Sequence, residues 1–293
     1  MIVVAANPYR GATRPRERVQ ALAQALAATG TQVQVVWDAP HRARLLGDAA
    51  MLAGVSCVVA AGGDGTVATV INELAGDVPL AVLPLGNENL FARAIGTPAD
   101  PLALARAIAA GRTRPLDLGR ATTSECTRRF GLMLSVGFDA DVVHRIARAR
   151  GAGTPRRVSR LSYLPCVAGA LARYRHSPVA ITVGRAKMRG ALCVVSNLPQ
   201  YAMTLSLTPA ARGDDGLLDW LAFERPGLSA LAGYAWAVAR GRHQSLSHVR
   251  HGRARKVTLT SEIPVPVQLD GDPCGFTPVE VEVLPRALRV VTV

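Results

Sequence analysis

Asp64 stands among three glycines in "GGDGT" (62–66), at the seam between the apolar run "CVVAA" and the helix-like "VATVINELAG". Glycines there let the backbone approach an anion closely and adopt turns that a side chain would obstruct. The free N–H groups and positive end of the helix that follows favour phosphate, and Thr66 can donate its hydroxyl to a phosphate oxygen. A carboxylate fits an anion site when a divalent cation bridges it to the phosphates. No GxxxxGK[ST] occurs, so this is not a P-loop. A lone GGxG can also be an ordinary tight strand–helix connection. The added acid, threonine and strand context point to a nucleotide phosphate site.

Other stretches carry chemistry-bearing residues at turns: "NPYRG" (7–11), "PLGNENLFAR" (84–93), "SVGFDADV" (135–142), "DDGLLD" (214–219) and "QLDGDP" (268–273). His243, His248 and His251 are spaced as a metal set might be. Their neighbours are arginines with no carboxylate among them, and cations oppose a divalent ion, so they read as exposed residues of a basic surface.

The elements that must position these residues divide the chain in two. Up to about residue 120, short β-rich runs ("IVVAAN", "QVQVVW", "CVVAAGG", "PLAVLPLG") alternate with helix-like Ala/Leu/Gln/Arg stretches, which argues for a parallel sheet covered by helices. Ligands bind beyond the carboxyl ends of such strands. "NPYRG", "GGDGT" and "PLGNENLFAR" each follow a strand and so belong to one edge. From about residue 121, strand-like runs succeed one another ("FGLMLSVGF", "PVAITVG", "RGALCVVSN", "MTLSLTP", "GLLDWLAF", "KVTLTSE", "VPVQLDG", "VEVEVLP", "LRVVTV"), interrupted by helical stretches near 139–149, 157–173 and 227–240. The expectation is an α/β nucleotide-binding domain over 1–120 and a mainly antiparallel β domain with a few helical inserts over 121–293. The stretches 157–173 and 227–240 read either as helices covering the core or as an interfacial face, to which Tyr234 and Trp236 would be suited.

Composition narrows the class. Of 293 residues, 49% are apolar and 19% charged, a globular profile with room for a large core. No apolar run is long enough to span a bilayer, and "MIVVAANPYRG" reads as a first strand, not a signal peptide. The five cysteines (57, 126, 166, 193, 274) are scattered singly, which suggests neither a zinc site nor a disulfide framework and fits a reducing cytoplasm. The net charge is +13, carried by arginines except for Lys187 and Lys256. Arg145–Arg160 holds six arginines and no acid, and Arg225–Ser261 holds no acid at all. This is either a solvated, arginine-rich surface or a face for an anionic partner. With only 4% aromatic residues and no nucleic-acid module, an anionic membrane surface is favoured over nucleic acid.

Taken in order, "GGDGT", "PLGNENLFAR", "SVGFDADV", "DDGLLD" and "QLDGDP" resemble the motifs of the diacylglycerol kinase catalytic family, which includes bacterial soluble lipid kinases and sphingosine and ceramide kinases. The resemblance spans nearly the whole chain. It implies transfer of the ATP γ-phosphate to a lipid hydroxyl by an N-terminal nucleotide domain and a C-terminal β-sandwich. Gly62, Gly63, Asp64, Gly65 and Thr66 would hold the triphosphate and Mg²⁺, with Asn7 at the same edge. Gly86 and Asn89 would form a second nucleotide loop. Asp270 would be the general base. Asp272, in place of the usual glutamate, would serve Mg²⁺, and Asp214, Asp215 and Asp219 would either hold a structural divalent ion or cap a hairpin. Departures from the family pattern are Asn87 for threonine and Leu90 for aspartate, with Glu88 a candidate substitute, and Arg10 where a small residue is common. The implied setting is cytoplasmic and peripherally membrane-attached, with a lipid substrate, no nucleic acid and possible homodimers. The rivals are an NAD kinase, which shares the Gly-Gly-Asp-Gly-Thr turn, and a non-catalytic lipid- or nucleotide-binding homologue.

Overall fold

A computed structural model describes residues 1–7, 13–150, 169–170, 178–202 and 205–292. The chain forms two compact units, Met1–Leu118 with Pro285–Val293, and Gly119–Leu284.

The first unit alternates strand and helix: β1 (Ile2–Ala6), α1 (Thr13–Ala27), β2 (Val33–Val36), α2 (Ala39–Gly47), β3 (Cys57–Gly62), α3 (Asp64–Glu73), β4 (Leu80–Pro84), α4 (Leu90–Ile95) and α5 (Pro101–Ala109). Strands β2, β1, β3 and β4 pair in that order, all parallel. Every residue of β1, β3 and β4 is buried, which is why these runs are apolar without alternation: helices cover both faces of a parallel sheet. Helix starts are written locally. Asp38 and Asp100 cap α2 and α5 by accepting from the N–H groups of His41 and Ala103, each followed by a proline in the first turn.

The second unit is a sandwich. One sheet is six-stranded and antiparallel, in the order β12 (Val249–Ala254), β11 (Leu218–Phe223), β10 (Leu192–Ser196), β7 (Met133–Val136), β14 (Pro266–Leu269) and β15 (Asp272–Phe276). Opposite it pair β13 (Lys256–Thr260), β8 (Val179–Val183), β9 (Ala186–Gly190) and the first part of β16 (Val279–Val291). Strands β5 (Thr113–Thr122) and β6 (Thr127–Phe130) pair with each other, and β5 also pairs with β16. Leu134, Val136, Val195, Leu218 and Val267 from one sheet meet Ile181, Val257, Leu259 and Val281 from the other in one apolar core. Among the described residues, α6 (Phe138–Arg150) follows β7 and α7 (Leu228–Ala239) follows β11.

Several expectations need correction. The second domain was expected to run to residue 293, but β16 turns at Arg286 (φ 52°) and its end joins the first sheet, Val290 pairing in parallel with Leu80. A terminal apolar strand does not announce which sheet it completes. The described part of "MTLSLTP" (205–209) is not a strand. Conversely β12, inside the basic stretch, is one: it is a sheet edge, and exposed arginines are how edge strands are protected from further pairing. His243 is 2% exposed, with its ring bonded to the Leu207 carbonyl, and the His248 ring packs edge-on against Tyr234. Only His251 of the three is exposed. The sulfurs of Cys126 and Cys274, 148 residues apart, face each other at 2.9 Å as free thiols. The helix expected over 227–240 is present, but it is no core-covering helix, since only Tyr234 and Ala237 of its residues are buried. The helix expected over 157–173 lies almost wholly outside the described residues, as does Arg10.

Candidate active site

In the first unit the ends of β1, β3 and β4 deliver Asn7, the glycine turn and the Leu85–Asn89 loop to one sheet edge. Gly62 closes β3, and a Cβ on it would fall 2.2 Å from the Thr66 hydroxyl oxygen. Gly63 caps α3 without a side chain, and its carbonyl accepts from the N–H groups of Thr66 and Val67. Thr66 is 6% exposed, and its hydroxyl accepts from the Asn7 side-chain amide at 3.3 Å. Asn7 and Thr66, 59 residues apart, thus meet as expected of one site.

The second loop is folded onto the first. The Leu85 N–H donates to the Gly62 carbonyl at 2.9 Å. The Asn89 side chain, on a left-handed residue (φ 49°), accepts from the Gly86 N–H and donates to the Gly86 carbonyl, both at 2.8 Å. Asn89 therefore shapes the loop with its amide. One Asp64 oxygen accepts from the Phe91 N–H at 3.0 Å. It caps α4 from a different element and binds the two loops together. Gly65 differs from its neighbours: it is exposed, and a Cβ there would meet nothing within 4 Å. Packing does not call for a glycine at this helix start, where alanine would be more stable by about 1 kcal/mol. Close approach of a phosphate does call for it. The donor set fits a triphosphate with Mg²⁺, an ion that takes one or two carboxylates and completes its shell with phosphate oxygens and water.

In the second unit the motif "QLDGDP" forms the β14–β15 hairpin. Asp270 and Gly271 both have positive φ (48° and 89°), and Leu269 pairs with Asp272 across them, the two-residue turn for which Asp-Gly is the usual signature. The Asp270 carboxylate accepts three backbone N–H bonds, from Gly131 (2.7 Å), Leu132 (2.9 Å) and Met133 (2.9 Å). These bonds make Asp270 the pin of the turn before β7. Asp272 has 43% of its side chain exposed, with the Arg128 guanidinium 3.9 Å away.

Behind the hairpin lies a polar network that sequence reading did not assign. The Gln268 side chain accepts from the Gly271 N–H (2.9 Å) and donates to the Ser135 hydroxyl (2.8 Å) and to Asp139 (3.1 Å). Ser135 and Tyr201 each donate to Asp139, at 2.6 and 2.7 Å. Burial and the neighbouring Asp139 charge push the Tyr201 phenol well above its usual range, so it stays a donor. Asp139 opens α6 inside the quoted "SVGFDADV", which was its only signal. In the first unit Asp117, 1% exposed, accepts from the Arg286 N–H at 2.7 Å. A lone acid within the apolar "PLDLG" was its signal.

The acidic stretch 214–219 does not assemble as a metal set. Asp214 lies 3.6 Å from Arg212 and Asp215 3.3 Å from Arg253, and Asp215 also caps its own turn at the Leu217 N–H. Among the described residues no three His, Cys, Asp or Glu side chains group as metal ligands. Asp219 points elsewhere: it lines a 210 Å³ pocket with Thr208, Gln244, His251 and Arg253. Burial raises its pKa to about 6, against the opposing pull of Arg253 and His251.

Residues 1–121 match the diacylglycerol kinase catalytic domain, and residues 133–292 match the YegS C-terminal NAD kinase beta sandwich-like domain. A diacylglycerol kinase of Mycobacterium tuberculosis is 32% identical over 265 residues, 88% of this chain and 84% of the relative. A "probable lipid kinase YegS-like" of Pseudomonas aeruginosa is 29% identical over 284 residues, 93% and 88% of the two chains. The structure of a diacylglycerol kinase from Bacillus anthracis shares the fold, with a TM-score of 0.71 and 17% identity, over 100% of this chain and 96% of that one. An NAD kinase from Archaeoglobus fulgidus, solved with ATP, is a more distant likeness of fold, with a TM-score of 0.56 and 14% identity over 100% and 94% of the two chains. Family match, sequence identity and the glycine-built site agree that the chain belongs to the diacylglycerol kinase catalytic family.

Proposed function

We propose that this protein is a lipid kinase that transfers the γ-phosphate of ATP, with Mg²⁺, to the hydroxyl of a membrane lipid. The carrying observation is the paired loop at the first sheet edge, where Gly62–Thr66 and Gly86–Asn89 close on each other with Asp64 between them. The family match and the two lipid-kinase relatives supply the class of acceptor.

The glycine turn and the start of α3 would receive the phosphates, with Gly65 giving the close approach. Asp64 would face the bound cation, and Mg²⁺, when present, neutralises charge on the phosphate oxygens. Asp272, with 43% of its side chain exposed, would accept the proton of the attacking lipid hydroxyl. Gln268, through Gly271, would hold that turn. The lipid oxygen forms the new bond to phosphorus, ADP leaves, and the proton passes to Asp272. Diacylglycerol is the first acceptor to test, because the M. tuberculosis relative is named for it.

The test is transfer from labelled ATP with Mg²⁺ to a lipid panel in mixed micelles, with NAD as a parallel acceptor. Label on a lipid, lost in Asp64→Asn, supports the reading. Label on NAD moves the protein to the rival activity. ATP binding without transfer to any acceptor makes Asn87 and Leu90 the cause to pursue and favours a non-catalytic binder.

A further inference from the structure

Helix α7 (Leu228–Ala239, "LSALAGYAWAVA") has no charged side chain. A surface helix ordinarily buries its apolar stripe and turns polar residues to water; this one does the reverse. Tyr234 and Ala237 are its only buried residues. Leu228, Ala232, Ala235, Trp236 and Ala239 are all exposed, at spacings of three and four that place them along one face. Leu228 is 53% and Trp236 64% exposed, two of the five exposed large apolar side chains among the described residues. At 1.5 Å per residue this face is about 18 Å long, too short to cross a bilayer.

The helix is anchored from beneath. The Tyr234 ring packs on Phe223 with centroids 4.4 Å apart, and its hydroxyl accepts from the Arg225 N–H at 3.0 Å. The outer face is thus held by a fixed scaffold. Its surroundings are cationic: Arg225, Arg240 and Arg242 flank the helix and are exposed, and the Arg240 guanidinium lies over the Trp236 ring at 4.3 Å. No acid occurs from Arg225 to Ser261. The nearest carboxylate in sequence, Glu224, is paired with Arg250 at 2.7 Å.

We infer that the outer face of α7 is a docking surface for an anionic lipid bilayer, with Leu228 and Trp236 entering the headgroup–acyl boundary and the flanking arginines meeting lipid phosphates. An apolar face with an indole at its centre and arginines at its margins is the arrangement that partitions into such an interface. A second copy of the chain fits less well, because a self-paired face would bring two arginine margins together in a stretch that offers no acid to pair them. The inference rests on the exposure and charge of α7. Only its purpose, bringing an enzyme to a membrane lipid, leans on the proposed activity.

The test uses the full chain and nucleotide-free vesicles of phosphatidylcholine with or without phosphatidylglycerol, so it reads docking apart from phosphate transfer. The wild type should co-sediment with the anionic vesicles and lose binding as salt is raised. Leu228→Ser with Trp236→Ser should lower the partition about tenfold, without changing phosphate transfer to a detergent-dispersed acceptor. Brominated acyl chains should quench wild-type fluorescence, and Trp236→Phe, which keeps the apolar face, should still bind yet lose that quenching. Binding unaffected by the double substitution, or quenching that persists in Trp236→Phe, overturns the inference. So does a wild type that ignores anionic vesicles, or a dimer that the double substitution converts to a monomer. If docking is seen but no lipid is ever phosphorylated, the activity is wrong and the surface stands.

Discussion

Gly86 and Gly63 touch through their backbones: a Cβ built on Gly86 would lie 2.6 Å from the Gly63 Cα. The two loops at the sheet edge can close only because neither residue carries a side chain. Gly86→Ala should therefore force the loops apart, at an overpacking cost of about 1–3 kcal/mol. It should lower the thermal midpoint and weaken the stabilisation given by ATP. Gly65→Ala separates structure from binding, since a Cβ there meets nothing. Its midpoint without nucleotide should stay level or rise, while the shift produced by ATP is lost. A Gly65→Ala protein that ATP stabilises as well as wild type would remove phosphate from that position.

The two acids of the hairpin should fail in different ways. Asp270→Asn replaces an acceptor of three N–H bonds by an amide that can face them with only one oxygen, so unfolding free energy should fall by about 1–3 kcal/mol. Asp272→Asn touches an exposed side chain and should leave stability within about 0.5 kcal/mol, yet cut turnover by roughly 10²–10⁴-fold if it is the proton acceptor. Denaturant unfolding and initial rates on both variants settle the assignment. The reverse pattern would return the role of base to Asp270.

Much of this was legible in the chain. The seam at Cys57–Thr66 shows itself because a fully buried parallel strand must be apolar and the turn after it must be glycine. The Asp270–Gly271 turn shows itself because positive φ at two successive positions restricts the residues allowed. What stayed hidden depends on long-range placement. Gln268 reads as one polar residue in a strand, and only the pairing of β14 with β7 puts it beside Ser135. The motif around Asp270 does not show its three backbone partners, which lie 137–139 residues earlier in the chain. Leu288–Val291 looks like any last strand, and its return to the first sheet is fixed by Leu80, far away in sequence. The character of α7 was left open because a periodic apolar helix looks the same whether its stripe meets a core or faces outward.

The Tyr201–Asp139–Gln268 network gives a test of positioning. Tyr201→Phe keeps the ring and removes one donor to Asp139. It should cost about 1.5–3 kcal/mol of stability, the worth of a hydrogen bond to a charged group. Because Asp139 also holds Ser135 and Gln268, turnover should fall with little change in the Michaelis constant for ATP, whose loops lie in the first unit. Equal effects on both constants would mean that the network supports the fold alone.

Asp219 should leave a signature in the pH dependence of stability. Burial raises its folded-state pKa from 3.8 to about 6, with Asp215 adding to the rise and Arg253 and His251 opposing it. Among the described residues its Oδ2 has no hydrogen-bond partner, since Arg253 is turned to Asp215. The folded state thus holds the Asp219 proton more tightly than the unfolded state. Between about pH 4 and pH 6 the native protein carries the extra proton, so this group's contribution to stability declines as pH rises through that window. Above it both states are ionised and the contribution is level. Asp219→Asn removes the titration and keeps the shape. The difference in unfolding free energy between wild type and Asp219→Asn should therefore move in favour of the variant from pH 4 to pH 6 and then flatten. A difference that does not vary with pH would mean that Asp219 keeps an ordinary carboxylate pKa in the fold, its pocket solvated well enough to hold the charge.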